Sequence, residues 1–286
     1  MPATVDDLLA LLDLETLDPD LFRGQQPDTT MQRVFGGQVA AQALVAAART
    51  APEGVTAHSL HSYFLRPGDT AVPIIYDVDR VRDGRSFATR RVLGRQHGRP
   101  IYALTASFQV AEEGFEHQDA MPVVPAPEES VDVRDALRGQ GRAAEDWLRE
   151  WSALEVRYIG DSRPGGALED PAHPARARIW LRVRDRMPDD VLVHQAALTY
   201  VSDLTLLGSA LVPHGLLIGD PRVQAASLDH TVWLHRPFRA DEWLLYDQVS
   251  PSASGGRGLA LGRLFTQDGR LVATVAQEGL IRPRTT

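Results

Sequence analysis

Asp203 stands in the run Tyr200-Val201-Ser202-Asp203-Leu204, a largely apolar stretch with one carboxylate in it. Burying a carboxylate is costly, so its presence there suggests a use, and the use open to it is to accept a proton. Histidines 58, 61, 230 and 235 fall in strand-like segments whose alternation can bring two of them together. No carboxylate triad or Glu-containing helix motif accompanies them, so no metal site is expected. Asp229-His230 reads either as a proton-transfer dyad or, preferably, as two residues serving local hydrogen bonding. Asp77-Val78-Asp79-Arg80-Val81-Arg82-Asp83-Gly84 has the wrong spacing for a calcium loop. Gly255-Gly256-Arg257-Gly258 is not a dinucleotide fingerprint, since no helix follows it; it reads as a bend where a ligand can come close. The chain has no cysteine, hence no thiolate nucleophile. It also has no lysine: all 30 basic residues are arginine, which excludes a P-loop and a Schiff base. No Gly-x-Ser-x-Gly elbow offers a serine nucleophile.

The elements that must position these groups repeat. Val5 to Leu17 is apolar at helical spacing and is closed by Asp18-Pro19-Asp20, with a short strand expected at Leu21-Phe22-Arg23. Arg33 to Arg49 opens on Gly36-Gly37 and is so rich in alanine that it predicts a helix able to lie against a sheet. Strands are predicted at Ser59 to Leu65, Val72 to Arg82, Ser86 to Arg95 and Pro100 to Val110, with hairpin signals at Asp83-Gly84 and His97-Gly98. A second series follows: strands at Leu154 to Ile159 and Ala177 to Arg184 around a Gly/Pro-rich loop (Gly160 to Pro174), then one long helix from Val191 to about Leu211. Further strands are predicted at Ala226 to Leu234, Trp243 to Ser250, Gly258 to Thr266 and Leu271 to Arg282. Each series is one central helix followed by an antiparallel meander, an α+β pattern.

The residues themselves echo. Gly84-Arg85-Ser86 through Gly98-Arg99-Pro100-Ile101-Tyr102-Ala103 returns as Gly255-Gly256-Arg257 through Gly269-Arg270-Leu271-Val272-Ala273. Ser59 through Pro67 returns as Ser227 through Pro237, with small insertions. A duplication of this length implies paired modules. They are expected at residues 1–115 and 151–286, with a Glu/Pro/Asp-rich, partly helical linker at 116–150. The 286 residues, 43% hydrophobic, suffice for two cores. A net charge of −8 argues against a nucleic-acid partner. The first residues lack a basic, apolar leader and no apolar stretch approaches a membrane span, so a cytoplasmic, soluble protein is expected.

Taken together, Arg33-Val34-Phe35-Gly36-Gly37-Gln38-Val39-Ala40-Ala41-Gln42-Ala43-Leu44, Tyr200-Val201-Ser202-Asp203, Leu228-Asp229-His230-Thr231-Val232-Trp233-Leu234-His235-Arg236-Pro237 and Ala276-Gln277-Glu278-Gly279 resemble the acyl-CoA thioesterase II family over about residues 20–282. The resemblance implies a double hotdog fold, two central helices each wrapped by a curved antiparallel sheet, the sheets joined edge to edge. It further implies hydrolysis of fatty acyl-CoA by water oriented by an Asp, a Thr or Ser, and a Gln, with no covalent acyl-enzyme and no cofactor. The matching positions are Asp203, Ser227 and Gln277, with Ser in place of the commoner Thr. In the first copy Ser107 aligns with Gln277, and no clear counterpart of Asp203 accompanies Ser59, so one site per chain is expected, in the second module. Arg257 and Gly256 are the candidates for contacting the anionic head of coenzyme A. A homodimer or tetramer is implied. Two other classes fit the fold: a hydratase or dehydratase of acyl thioesters, which needs a His about five residues after the Asp where Gly208 stands, and a non-catalytic acyl-CoA binding protein.

Overall fold

The structure, a computed structural model, describes residues 1–168 and 175–284. The first copy runs α1 (Val5–Leu12), β1 (Glu15–Asp18), β2 (Leu21–Gly24), α2 (Gly36–Arg49), β3 (Val55–Phe64), β4 (Ile74–Asp83), β5 (Phe87–Gln96) and β6 (Arg99–Val110). After a 3-10 turn at Pro127–Glu129 come β7 (Val131–Asp132), α3 (Val133–Leu137), α4 (Arg142–Glu150), β8 (Leu154–Asp161) and β9 (Arg176–Val183). The second copy then continues through α5 (Val191–Ser202), a 3-10 segment at Leu206–His214, β10 (Val223–Ser227), β11 (Asp229–Leu234), β12 (Leu244–Ser254), β13 (Arg257–Thr266) and β14 (Leu271–Pro283). Of the Gly/Pro-rich loop expected at Gly160 to Pro174, residues 169–174 lie outside the described residues.

Among the described residues, all strands join one antiparallel sheet in the order β1-β2-β4-β5-β6-β3-β11-β14-β13-β12-β9-β8-β7, with β10 also on β14. Each copy therefore contributes the same order, β2-β4-β5-β6-β3 in one and β9-β12-β13-β14-β11 in the other. The expected meander holds only for its last three strands, because β3 crosses to pair with β6 rather than β4. That crossing carries β3 to the open edge, where it meets β11 of the other copy, with His61 opposite Thr231. Arg66-Pro67 and Arg236-Pro237 stand equally far beyond these two residues, so the duplication has a pseudo-two-fold axis between them. The Ser62 hydroxyl donates to the His230 carbonyl across the junction at 2.7 Å, and the Phe64 N–H to the Leu228 carbonyl at 2.9 Å. This is the double hotdog arrangement.

One hydrophobic cluster runs through both copies and contains the inward faces of the strands and both central helices. Every residue of α2 from Gly37 to Ala47 is buried, which its alanines permit without crowding.

Four expectations are corrected. The helix beginning at Val5 stops at Leu12, because pairing of Glu15–Asp18 with β2, itself on the sheet's outer strand β4, takes the following residues into a hairpin. The long helix from Val191 divides: α5 ends at Ser202, Asp203 is its C-cap and a 3-10 segment follows. The strand expected at Ala226 to Leu234 breaks at Leu228 into β10 and β11. Finally, Val191–His214 is long and apolar enough by composition to cross a membrane, with mean hydropathy 1.3. It is the core of the second copy, however, and 72% of its apolar window is buried within the protein.

Since β3 alone would expose its whole unpaired edge and the core is shared, residues 1–115 expressed by themselves should not form a cooperatively folding monomer. Urea unfolding and size-exclusion chromatography check this; a soluble monomer with a sharp transition would mean that the first copy does not depend on the second.

Candidate active site

The end of α5 abuts the start of α2, and Asp203 sits at that meeting point. Phe35, the N-cap of α2, packs edge-on against Tyr200 of α5 with ring centroids 5.2 Å apart. The approach is so close that side chains at the start of α2 would collide: a Cβ on Gly36 would lie 2.6 Å from Asp203 Oδ2, and one on Gly37 would meet the Tyr200 carbonyl oxygen. Glycine at both positions lets the carboxylate rest on the helix start, where the Gly37 N–H favours its charged form.

Two strands of the second copy bring the other residues. Ser227 ends β10, opposite Gly279 of β14, and Gln277 lies two residues back along β14, on the same face. The Ser227 hydroxyl donates to Asp203 Oδ1 at 3.2 Å, and Gln277 Nε2 donates to the same oxygen. Gln277 Nε2 also lies 3.1 Å from Ser227 Oγ and 3.2 Å from His230 Nδ1, so three acceptors surround its two hydrogens. All three residues selected from the sequence thus converge. Asp203 and Ser227 remain partly exposed, whereas Gln277 is fully buried.

Burial raises the Asp203 carboxyl above its ordinary value, opposed by His230, Gln277, Ser227 and the Gly37 N–H. Every hydrogen bond it makes is one it accepts, which is what an ionised carboxylate requires. Burial lowers the His230 imidazole, opposed by Asp203 and Asp229. Its Nε2 lies 2.8 Å from Ser202 Oγ, and that hydroxyl donates to the Thr199 carbonyl at 3.0 Å. Sequence reasoning did not place His230 or Ser202 here. The only signal was their adjacency to Asp229 and Asp203.

The strand registers correct the alignment of the two copies. Ala57 pairs with Phe108 and Ser227 with Gly279, each just before the break in its strand. Two residues back from those partners stand Ala106 and Gln277. The counterpart of Gln277 is therefore Ala106, not Ser107, and that of Ser227 is Ala57, not Ser59. Leu60, opposite Ala106, corresponds to His230. Counted from the N-caps Phe35 and Asp190, Ser202 and Asp203 correspond to Ala47 and Ala48. The first copy is apolar at all five positions, so the polar cluster belongs to the second alone.

The remaining candidates lie outside this cluster. Arg257 follows the Gly255-Gly256 turn, where φ is 57° and 75°, and donates to Glu278 at 3.0 Å while half exposed. It sits on β13, whose Ala260 pairs with Gln277. Asp229 does not form a dyad with His230; its Oδ1 accepts from the Glu278 N–H at 2.6 Å. His58 bonds Ser107 Oγ at 2.8 Å, His61 packs on Trp233, and His235 bonds Thr274 Oγ1 at 2.8 Å. Among the described residues, no three His, Asp or Glu side chains converge to hold a metal.

A duplicated hotdog fold with one carboxylate, hydroxyl and amide cluster defines a class of acyl-thioester enzymes, and the comparisons with known proteins agree. Residues 170–280 match a family described as acyl-CoA thioesterase, and residues 25–109 one described as acyl-CoA thioesterase N-terminal domain. Acyl-CoA thioesterase 2 of Haemophilus influenzae is 42% identical over 99% of both chains. Human acyl-coenzyme A thioesterase 8 is 42% identical over 95% of this chain and 88% of its own length. Among solved structures, the acyl-CoA thioesterase II TesB2 from Mycobacterium marinum superposes with a TM-score of 0.84 at 46% identity, over 97% of this chain and 99% of that one. The chain belongs to the acyl-CoA thioesterase family.

Gly36→Ala should displace the Asp203 carboxylate, since the new methyl falls 2.6 Å from Oδ2 and 2.9 Å from the Phe64 ring. A fall in kcat of about 10²-fold, the scale for a misplacement near 1 Å, is expected in a protein that still folds. Steady-state kinetics with circular dichroism check it, and parental kcat would show that the close approach is not needed.

Proposed function

We propose that the protein hydrolyses fatty acyl-CoA to free fatty acid and coenzyme A, with a water molecule attacking the thioester directly. The observation that carries this reading is the convergence of Asp203, Ser227 and Gln277 from α5, β10 and β14 on one point at the start of α2. Asp203 takes a proton from the water as its oxygen bonds to the carbonyl carbon. Ser227 and Gln277 hold the carboxylate and direct the water. The carbonyl electrons pass to oxygen and return as the C–S bond breaks, the sulfur leaving with the pair and taking up the proton that Asp203 accepted, which regenerates the carboxylate. The orphan N–H groups at the start of α2 are the backbone donors best placed to meet the developing oxyanion. Burial of Asp203 serves this chemistry, because a carboxylate with a raised pKa is the better base.

Arg257 supports a reading in which the nucleotide end of coenzyme A lies along the β13–β14 hairpin, with Gly256 allowing close approach. Assembly into a homodimer or tetramer would use a surface other than the β3 and β11 edges, which pair within the chain.

Asp203→Asn should lower kcat by about 10²–10⁴, the range for loss of a general base, measured as free thiol released from acyl-CoA. Ser227→Ala and Gln277→Ala should also be damaging, and sub-additive in combination, since all three serve one water. An Asp203→Asn enzyme with at least half the parental kcat would exclude Asp203 as the base. For the other end of the substrate, Arg257→Ala should raise KM for acyl-CoA more than for an acyl-pantetheine lacking the nucleotide; equal effects would remove Arg257 from the site.

A further inference from the structure

The polar residues of the site do not end with those that face substrate. Behind Gln277 lies His230, and behind His230 lies Ser202, both without solvent exposure. Nothing in the packing demands this. At the corresponding positions the first copy uses Leu60, Ala106 and Ala47, all equally buried and apolar, so the fold accommodates hydrocarbon there. The polar chain exists only in the copy that carries Asp203.

The hydrogens along the chain can be assigned in order. The Ser202 hydroxyl donates to the Thr199 carbonyl and so accepts from His230 Nε2–H, at 2.8 Å. A neutral imidazole has one N–H, so Nδ1 is left with a lone pair, which accepts from Gln277 Nε2–H at 3.2 Å. The amide is thereby turned with nitrogen toward both Nδ1 and Asp203 Oδ1. Its other end, Oε1, is buried without a hydrogen-bond partner. Turned over, the amide would set that oxygen against two acceptors, the Asp203 carboxylate and the Nδ1 lone pair, and leave its NH2 buried without partners; the lone pair on Nδ1 therefore selects the orientation with nitrogen inward. We infer that His230 and Ser202 are positioning residues, a buried relay that fixes the Gln277 amide so that it presents N–H to Asp203 and Ser227.

The inference rests on the reading of Gln277 as part of the site, and the test separates the two. His230→Leu, His230→Asn and Ser202→Ala are each made in the parental chain and in Gln277→Ala, with circular dichroism to establish folding and thiol release from acyl-CoA to give kcat and KM. In the parental chain, His230→Leu should lower kcat by about 10- to 100-fold, the scale of a group misplaced by about 1 Å, with KM little changed. Ser202→Ala should lower kcat in the same way, because the Nε2 proton is then free to move to Nδ1. His230→Asn, whose Oδ1 falls where Nδ1 stood, should restore most of the activity. In the Gln277→Ala background none of the three should cost anything further, since no amide remains to orient.

Equal damage from Leu and Asn at position 230, or a loss repeated in full without Gln277, would overturn the relay while leaving the site reading intact. Parental kcat in Gln277→Ala alone would overturn both. Should His230→Leu fail to fold, Ser202→Ala with and without Gln277 serves as the same test: a loss confined to the Gln277 chain supports the relay, and an additive loss overturns it.

Discussion

A carboxylate held at the buried end of one helix against the start of another is the constraint on which the other features of this fold turn. Asp203 caps α5 and rests on Gly36 and Gly37 of α2. The end of α5 repels negative charge and the start of α2 attracts it, so the residue is tolerable only because the two helix ends abut. That contact in turn requires glycine at both positions, and an α2 thin enough to lie deep in the sheet. Burial still raises the Asp203 pKa, and the donors from Gln277, Ser227 and Gly37 only partly oppose it. In the proposed mechanism, the tension between burial and donation is what equips the group to act as a base.

The second organising feature is the edge-to-edge join of β3 and β11. It removes the exposed edge that each copy would otherwise present and makes the core continuous. Because the two copies sit in one sheet about a pseudo-two-fold axis, each serves as a comparison for the other. Matched by strand register and, on the helices, by distance from the N-cap, the second copy has Ser202, Asp203, Ser227, His230 and Gln277 where its twin has Ala47, Ala48, Ala57, Leu60 and Ala106. Packing alone is satisfied by the apolar set. The polar set carries the cost of five buried or half-buried polar groups, a cost that the proposed function accounts for.

Much of this was legible in the residues. The duplication showed as repeated motifs, the alanine-rich helix and its opening glycines as composition, and the strands as alternation. The three polar residues singled out by family resemblance do converge. Where reading failed, tertiary pairing had overridden a local signal. The helical spacing from Val5 to Leu17 lost its last turn to a hairpin that β4 recruits. The strand through Leu228 broke so that β10 and β11 could follow β14 across an irregular register. Ser107 was matched to Gln277 because the motif match set Ala103 on Ala273, whereas the register sets Tyr102 opposite Phe64 as Ala273 lies opposite Leu234, one residue earlier.

Local preferences and their repetition belong to the sequence, because helix period, strand alternation and turn glycines depend on neighbours within a few residues. Folding in three dimensions is what ends α5 at Asp203, sets that end against the start of α2, and stands His230 and Ser202 behind Gln277. Those contacts join residues 28 to 167 positions apart, and no local pattern records which distant groups will share a buried hydrogen bond.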